Sequence, residues 1–300
     1  MVVYLRVNNM DIIEIFERFP TQERCISHLE SVRWKNEPKC PYCKSPKQTP
    51  LKAGHRYHCN SCNTSYGVTV RTIFHKTHMP LQKWFLAVSL ILNAKKGISA
   101  RQLSRHLKVN RNTAWRIAMK IRDAMLESEQ RVILQGLVEM DETFIGGKPR
   151  RGCFGYTNRK RGRGTKKTPV VGMVERAGNV VAKVFKKDHI NLKKLSQLVR
   201  EKVEIKKSVL VTDEARYYHG MKRCLPHKTI NHDIWYADGW IHTNTIESFW
   251  ALLKRGIVGQ FHKVSIRHLP KYVSEFAYRF NNRDNKDVFQ LTLQNGLGVA

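Results

Sequence analysis

The 300-residue chain carries 54 Lys plus Arg against 24 Asp plus Glu, a formal charge of +30, with 41% hydrophobic residues. That length supports two or three domains with a sizeable core. A charge this large repels itself unless a polyanion is the partner, which puts nucleic acid first and an anionic membrane surface second; solubility charge alone is usually mixed in sign and far smaller.

The opening MVVYLRVNNMDIIEIFERF has acids inside its apolar run, and the longest apolar stretch, Trp84 to Leu92, is too short for a bilayer. Neither leader nor membrane span is expected, and the expected location is cytoplasmic. Residues 1–36 are predicted to be an N-terminal helical segment, with Ile12, Ile13, Ile15 and Phe16 as its apolar face.

Residues 37–70 read as a zinc ribbon. Cys40-Pro-Tyr-Cys43 and Cys59-Asn-Ser-Cys62 are two C-x2-C pairs separated by fifteen residues. Each pair fits a tight turn that points both sulfurs at one site, so four thiolates complete a tetrahedron around structural Zn2+. The intervening segment looks like a hairpin, too small for a core of its own, so metal would supply folding energy. Lys44, Lys47, Lys52, His55 and Arg56 crowd it and favour DNA contact, although a purely structural zinc site needs none of them. Cys25, Cys153 and Cys224 lack paired spacing and read as packing or surface residues.

Residues 78–130 have helical periodicity and read as a helix-turn-helix DNA-binding domain. Pro80 starts one helix with Leu81, Trp84, Phe85, Val88 and Leu92 on one face, ending by Gly97. Ser99 caps a second through Leu107, and a third begins near Arg111 with Ala114, Ile117, Ala118, Ile121 and Met125 inward. Arg111, Asn112, Arg116 and Lys120 are then available to read a DNA groove; the alternative is a plain three-helix module with a solvated charged face.

Residues 135–285 alternate strand-like and helix-like segments, and 286–300 read as a short tail. LVEMDETFIGG is a predicted strand with Asp141 at its middle, where an ionised carboxylate is costly unless paired or at an exposed edge. Glu139 shares its parity and is a reserve acid, while Glu142 should face the other way. A basic loop follows: from Lys148 to Lys167 there are nine Lys or Arg and no acid, and Arg159, Arg161 and Arg163 are candidate DNA contacts. VVGMVER and VVAKVF form a hairpin around Ala177-Gly178-Asn179, Lys186 to Glu204 is helix-like, and SVLVTD is a buried strand ending in Asp213, which could equally cap a helix. In HTNTIESFWALLKRGIVGQF, Ile246, Phe249, Trp250, Leu253 and Ile257 make a core stripe. Asn244, Glu247 and Lys254 share another face, and Asn244 with Glu247 also matches a capping box.

An acid on the first strand, one on a later strand and one on a late helix is the layout of a ribonuclease-H-like α/β domain, a mixed five-stranded sheet flanked by helices. Asp141, Asp213 and Glu247 would hold two Mg2+ or Mn2+ ions, which relieve their repulsion, with Asn244 in support and Lys254 holding the DNA backbone.

The segments RWKNEPKCPYC, YHCNSCNTSY, MDETFIGGK, TDEARYY and HTNTIESFWALLKRGIVGQFHKVS together resemble the bacterial insertion-sequence transposases with an N-terminal zinc ribbon and a DDE domain, insertion-sequence family 1595. The resemblance implies cleavage and strand transfer at the terminal inverted repeats of a mobile element. It also implies double-stranded DNA as partner, a homodimer or higher assembly on DNA, and a bacterial, nucleoid-associated protein. Asp141 and Asp213 match the family's first two acids; for the third position the family allows Asn, His or Glu, so Asn244, His242 and Glu247 all qualify. A non-catalytic zinc-ribbon regulator and a structure-specific nuclease on the same fold are the competing readings.

Overall fold

The computed structural model describes residues 10–35, 37–51, 54–147, 165, 167–186, 190–230 and 240–299, which divide into two compact units, Met1–Ser128 with Asp284–Ala300 and Glu129–Arg283. Most of the basic loop, including Arg159, Arg161 and Arg163, lies outside the described residues.

In the first unit, α1 (Ile12–Arg18) and α2 (Gln22–Trp34) start on Asp11 and Thr21, whose side-chain oxygens accept from the amides of Glu14 and Arg24. A three-stranded antiparallel sheet follows: β1 (Gln48–Leu51), β2 (Arg56–Cys59) and β3 (Thr64–Tyr66). Trp34 packs edge-on against Tyr57 and Tyr66, so α2 supplies apolar cover that the small sheet lacks. Three helices come next. α3 (Leu81–Asn93) is buried over most of its surface, α4 (Ala100–Leu107) is capped by Ser99 with Leu103 and Leu107 inward, and α5 (Arg111–Glu129) buries the inward face expected of it. Lys108 adopts a left-handed conformation at φ 49°, which turns the chain between α4 and α5.

The segment 286–300 is not a tail. It holds α9 (Val288–Leu297), capped by Asp287, and Phe289 joins an aromatic cluster with Phe19 and Phe85 at centroid separations of 6.4 and 5.7 Å. His28 on α2 also bonds Gln290 at 3.0 Å. The physical reason is burial: Val288, Phe289, Leu293 and Leu297 are all almost wholly removed from solvent, an apolar stripe that needs a partner surface.

The second unit is a five-stranded mixed sheet in the order β6-β5-β4-β7-β8, made of β4 (Leu134–Ile145), β5 (Thr168–Glu175), β6 (Val180–Val184), β7 (Val203–Asp213) and β8 (His227–Ile230). β4, β5 and β6 form an antiparallel meander; β7 and β8 run parallel to β4. Ala177, at φ 62°, supplies the left-handed turn of the β5–β6 hairpin. α6 (Leu192–Lys202) and a 3-10 helix (Arg216–Arg223) complete a core on one face, where Val138 and Met140 of β4 meet Leu195, Leu198, Tyr218 and Met221. Alternation along β4 sends Glu139, Asp141 and Thr143 to the other face. That face is occupied by α7 (Asn244–Gly256), continued by a π-helical turn (Ile257–Phe261), and by α8 (Leu269–Asn281).

Candidate functional site

The four ribbon cysteines are brought together by two matched turns. Cys43 and Cys62 are each followed by a residue in the left-handed region, Lys44 at φ 62° and Asn63 at φ 53°. Cys40 Sγ lies 3.7 Å from Cys62 Sγ and Cys43 Sγ 3.5 Å from Cys59 Sγ, and all four sulfurs fall within 4.8 Å of one another. A tetrahedron with Zn–S bonds of about 2.3 Å has sulfurs about 3.8 Å apart, so the spacing fits zinc. Burial raises the Cys59 thiol, but the backbone amides of Cys62 and Ser61 and the neighbouring Cys43 and Cys62 thiols outweigh it and bring Cys59 down to about 6. Cys43 moves the opposite way: the Ser45 amide pulls it down, but burial and hydrogen bonds with the other three thiols outweigh that pull and bring it up to about 12, so the thiols compete for protons that a bound cation would displace.

In the second unit the carboxylates sort by strand parity and register. β4 and β7 pair through Met140 and Thr212, so Asp141 and Asp213 come one residue later on adjacent parallel strands. Burial, then the charges of Glu142 and Asp213, push the Asp141 carboxyl up to about 7 against the opposing pull of the Glu142 backbone amide and the Trp250 indole. Trp250 of α7 donates its Nε1–H to Asp141 Oδ2 at 3.0 Å. Gly172, the β5 partner of Asp141, makes room for the ring: a Cβ there would sit 2.5 Å from a Trp250 carbon. Asp213 Oδ1 accepts the Ala215 amide at 3.2 Å, so Asp213 also fastens the turn into the 3-10 helix.

Glu247 is on α7, one turn before Trp250. Its Oε1 accepts the Thr243 hydroxyl at 3.0 Å. Among the described residues the cysteines are the one set of three or more His, Cys, Asp or Glu whose ligand atoms all lie within 4.8 Å, so Asp141, Asp213 and Glu247 are not drawn into one equally tight cluster. Asn244 is the first residue of α7, and its Oδ1 is buried with no hydrogen-bond partner, an acceptor left for something else to fill. His242 is turned elsewhere: its Nδ1 is 3.1 Å from Arg176 Nη2 and 3.4 Å from Glu139 Oε1. Lys254 is exposed near the end of α7.

Three sequence expectations need correction. The capping box of Asn244 and Glu247 does not form. Thr243 is the cap position and makes no side-chain cap bond, while Glu139 on β4 accepts the amides of Thr245 at 2.8 Å and Ile246 at 3.1 Å. Glu139 is therefore no free reserve acid; it also takes the Thr245 hydroxyl and the Arg176 guanidinium. Lys120 differs from Arg111, Asn112 and Arg116, which are exposed. It is half-buried, donates to the His75 carbonyl at 3.3 Å and lies over the Trp84 ring, so the exposed polar row stops one turn early.

Glu142 does face away from Asp141, and it has a partner pair that sequence reasoning missed. Tyr217 and Tyr218 both donate their hydroxyls to its carboxylate, Tyr218 at 2.8 Å. This joins β4, next to Asp141, to the helix that follows Asp213; the adjacent tyrosines after TDEAR were the available signal.

Both units carry similarity to known proteins. The ISXO2-like transposase domain matches residues 133–281 and the transposase zinc-ribbon domain matches residues 20–65. A Halobacterium salinarum protein described as an uncharacterized protein in transposable element ISH50 is 28% identical over 87% of this chain and 91% of its own length. An uncharacterized transposase-like protein of Haemophilus influenzae is 31% identical over 33% of this chain and 80% of its own length. Among solved structures, the Mos1 strand transfer complex covers 71% of this chain and 78% of its own at 13% identity, with a TM-score of 0.28. The Mos1 paired-end complex with Mg covers 70% and 78% at 15% identity, with a TM-score of 0.24. With a transposase zinc-ribbon match and an ISXO2-like transposase domain match in order along it, the chain belongs to the IS1595 family of insertion-sequence transposases.

Proposed function

We propose that the protein binds the terminal inverted repeats of an insertion sequence and catalyses divalent-metal-dependent DNA cleavage and strand transfer. One observation carries the reading: Asp141 inside β4 and Asp213 at the end of β7 each follow the Met140–Thr212 pair on adjacent parallel strands, and the Asp141 carboxyl is held up to about 7 by burial and by its acidic neighbours. Crowded carboxylates of that kind are relieved by cations. The strand order, an antiparallel meander followed by two parallel strands, supports a ribonuclease-H-like reading of this unit.

Asp141, Asp213 and Glu247 would hold two Mg2+ or Mn2+ ions, with the partnerless Asn244 Oδ1 as a further donor. Bound there, they would supply Lewis-acid activation of a water or 3′-hydroxyl and charge stabilisation for the leaving oxygen of a displacement at phosphorus. The chain's own residues do the rest. Trp250 fixes the Asp141 carboxylate, Tyr217 and Tyr218 hold Glu142 out of the site, and exposed Lys254 meets the DNA backbone. No covalent enzyme intermediate is needed.

The ribbon would hold Zn2+ as a structural ion. Arg111, Asn112 and Arg116, exposed at the start of α5, would read the DNA groove in a helix-turn-helix arrangement formed by α4 and α5. Arg159, Arg161 and Arg163 would add phosphate contacts. Two element ends must be held together for transfer, so the working assembly is a homodimer or larger on DNA.

The test is wild-type protein with Mg2+ or Mn2+ on DNA carrying the parent element's ends. Cleavage followed by joining to a target duplex is the expected result. Binding without cleavage would leave a non-catalytic regulator, and cleavage without joining a nuclease.

A further inference from the structure

One heavily satisfied buried charge in the second unit lies outside the proposed metal ligands. Glu139 is 0% exposed, yet its carboxylate receives two backbone amides, one hydroxyl and a guanidinium. The two amides belong to the first turn of α7, where unpaired N–H groups and the helix dipole favour an anion. This cap comes from a strand 106 residues away in sequence, where most caps are local. The guanidinium is that of Arg176, at the end of the β5–β6 hairpin. Its Nε and Nη2 reach Glu139 Oε1 at 3.0 and 2.8 Å, and the guanidinium also meets the Trp240 carbonyl at 2.7 Å, the His242 carbonyl at 3.2 Å and His242 Nδ1 at 3.1 Å. Arg176 thus grips the backbone leading into α7 while Glu139 grips the helix start.

We propose that Glu139 and Arg176 are a positioning pair that sets α7, and with it Asn244 and Glu247, at a fixed height over Asp141. The inference rests on the function proposed above and deepens it. Glu139 is two residues before Asp141 on the same strand face, so one strand carries the first acid and the anchor of the helix carrying the third. A helix can slide or rotate on a flat apolar face, because packing contacts between such surfaces are non-directional. Charged hydrogen bonds from two guanidinium nitrogens to Oε1 and two helix amides to Oε2 of one carboxylate fixed on the strand remove that freedom. The pair touches no reacting atom in this arrangement. Its effect is on where the ligands stand, and a shift of about 1 Å in a catalytic constellation can cost on the order of 100-fold in rate.

The experiment uses full-length Glu139→Gln and Arg176→Lys proteins beside wild type and a stability-matched core control, Leu198→Ala, which lies on the opposite sheet face. Hydrogen exchange of the peptide covering 240–250 reads the clamp itself, whatever the activity. Mn2+ titration followed by electron paramagnetic resonance reads ligand placement. Expected are faster exchange in that peptide for both clamp variants, Mn2+ affinity weakened about tenfold or more, unchanged affinity for duplex DNA, and none of these effects in Leu198→Ala. Wild-type exchange and Mn2+ affinity in Arg176→Lys, which keeps the charge but loses the fork and is the milder change should Glu139→Gln fail to fold, would overturn the proposal. A wild-type protein that binds no Mn2+ would instead sink the function reading, while the exchange result still decides the clamp.

Discussion

The indole of Trp250 donates its N–H to Asp141 Oδ2 at 3.0 Å, which makes an otherwise apolar helix stripe responsible for orienting the first acid. The bond runs from α7 to β4, the same two elements that Glu139 joins at the helix start. Trp250→Phe keeps most of the packing and removes this donor from a desolvated carboxylate. A loss of about 1–3 kcal/mol in stability is expected, together with slower cleavage at unchanged DNA affinity. Thermal unfolding and single-turnover cleavage read the two effects separately.

Gly172→Ala tests the same contact from below. Its Cβ would stand 2.5 and 2.6 Å from two Trp250 ring carbons and 3.0 Å from Ile246 Cδ1, so α7, which carries both side chains, has to lift. Overpacking of this kind costs about 1–3 kcal/mol. Cleavage should fall further than in Trp250→Phe, because the helix moves as a whole. Combining Gly172→Ala with Trp250→Phe should recover part of the lost stability.

How much of this was legible in the sequence varies with the range of the interaction. The cysteine turns, the helix beginning at Arg111, and the Asp141 and Asp213 strands follow from local spacing and period, and local signals are what a sequence displays directly. The Glu139 cap was hidden because Asn244 and Glu247 offered a plausible local box, while the true anion comes from a distant strand. Lys120 looked like one more solvent-facing cation, since helical period places it with Arg116. Only the loop bringing the His75 carbonyl beneath it turns it inward. The last segment looked like a tail because its apolar residues have no partner nearby in sequence; Phe19 and Phe85 provide one in space.

Glu129 gives a pH signature independent of catalysis. Burial, only partly offset by Lys202 and the Asn281 amide, pushes its carboxyl from 4.5 up to about 8. Between those values the unfolded chain has lost this proton and the folded chain has kept it. The group's favourable contribution, complete below 4.5, is therefore lost as pH rises through about 8, at up to about 1.4 kcal/mol per pH unit. Glu129→Gln keeps an acceptor for Asn281 Nδ2 and removes the titration. Its melting temperature should equal that of wild type near pH 4 and exceed it increasingly toward pH 8; a constant difference across that range would contradict the assignment.

Metal removal should act on the ribbon. The four sulfurs close a small three-stranded sheet with little apolar cover of its own beyond Trp34, Tyr57 and Tyr66. Elemental analysis should find one zinc per chain, and a chelator should render residues 37–66 sensitive to protease. Cys59→Ala should reproduce the chelated behaviour. A chain that purifies without zinc and resists protease there would remove the structural role assigned to the metal.

The central claim is that Asp141 and Asp213 together hold the ions that cut DNA. Cleavage and binding of element-end DNA by wild type, Asp141→Asn and Asp213→Asn, measured side by side in Mg2+, tests it most directly. The account predicts wild-type affinity for the ends in both variants and cleavage reduced at least about 1,000-fold, as befits loss of a group acting on the transition state. Cleavage near the wild-type rate in either variant would contradict it.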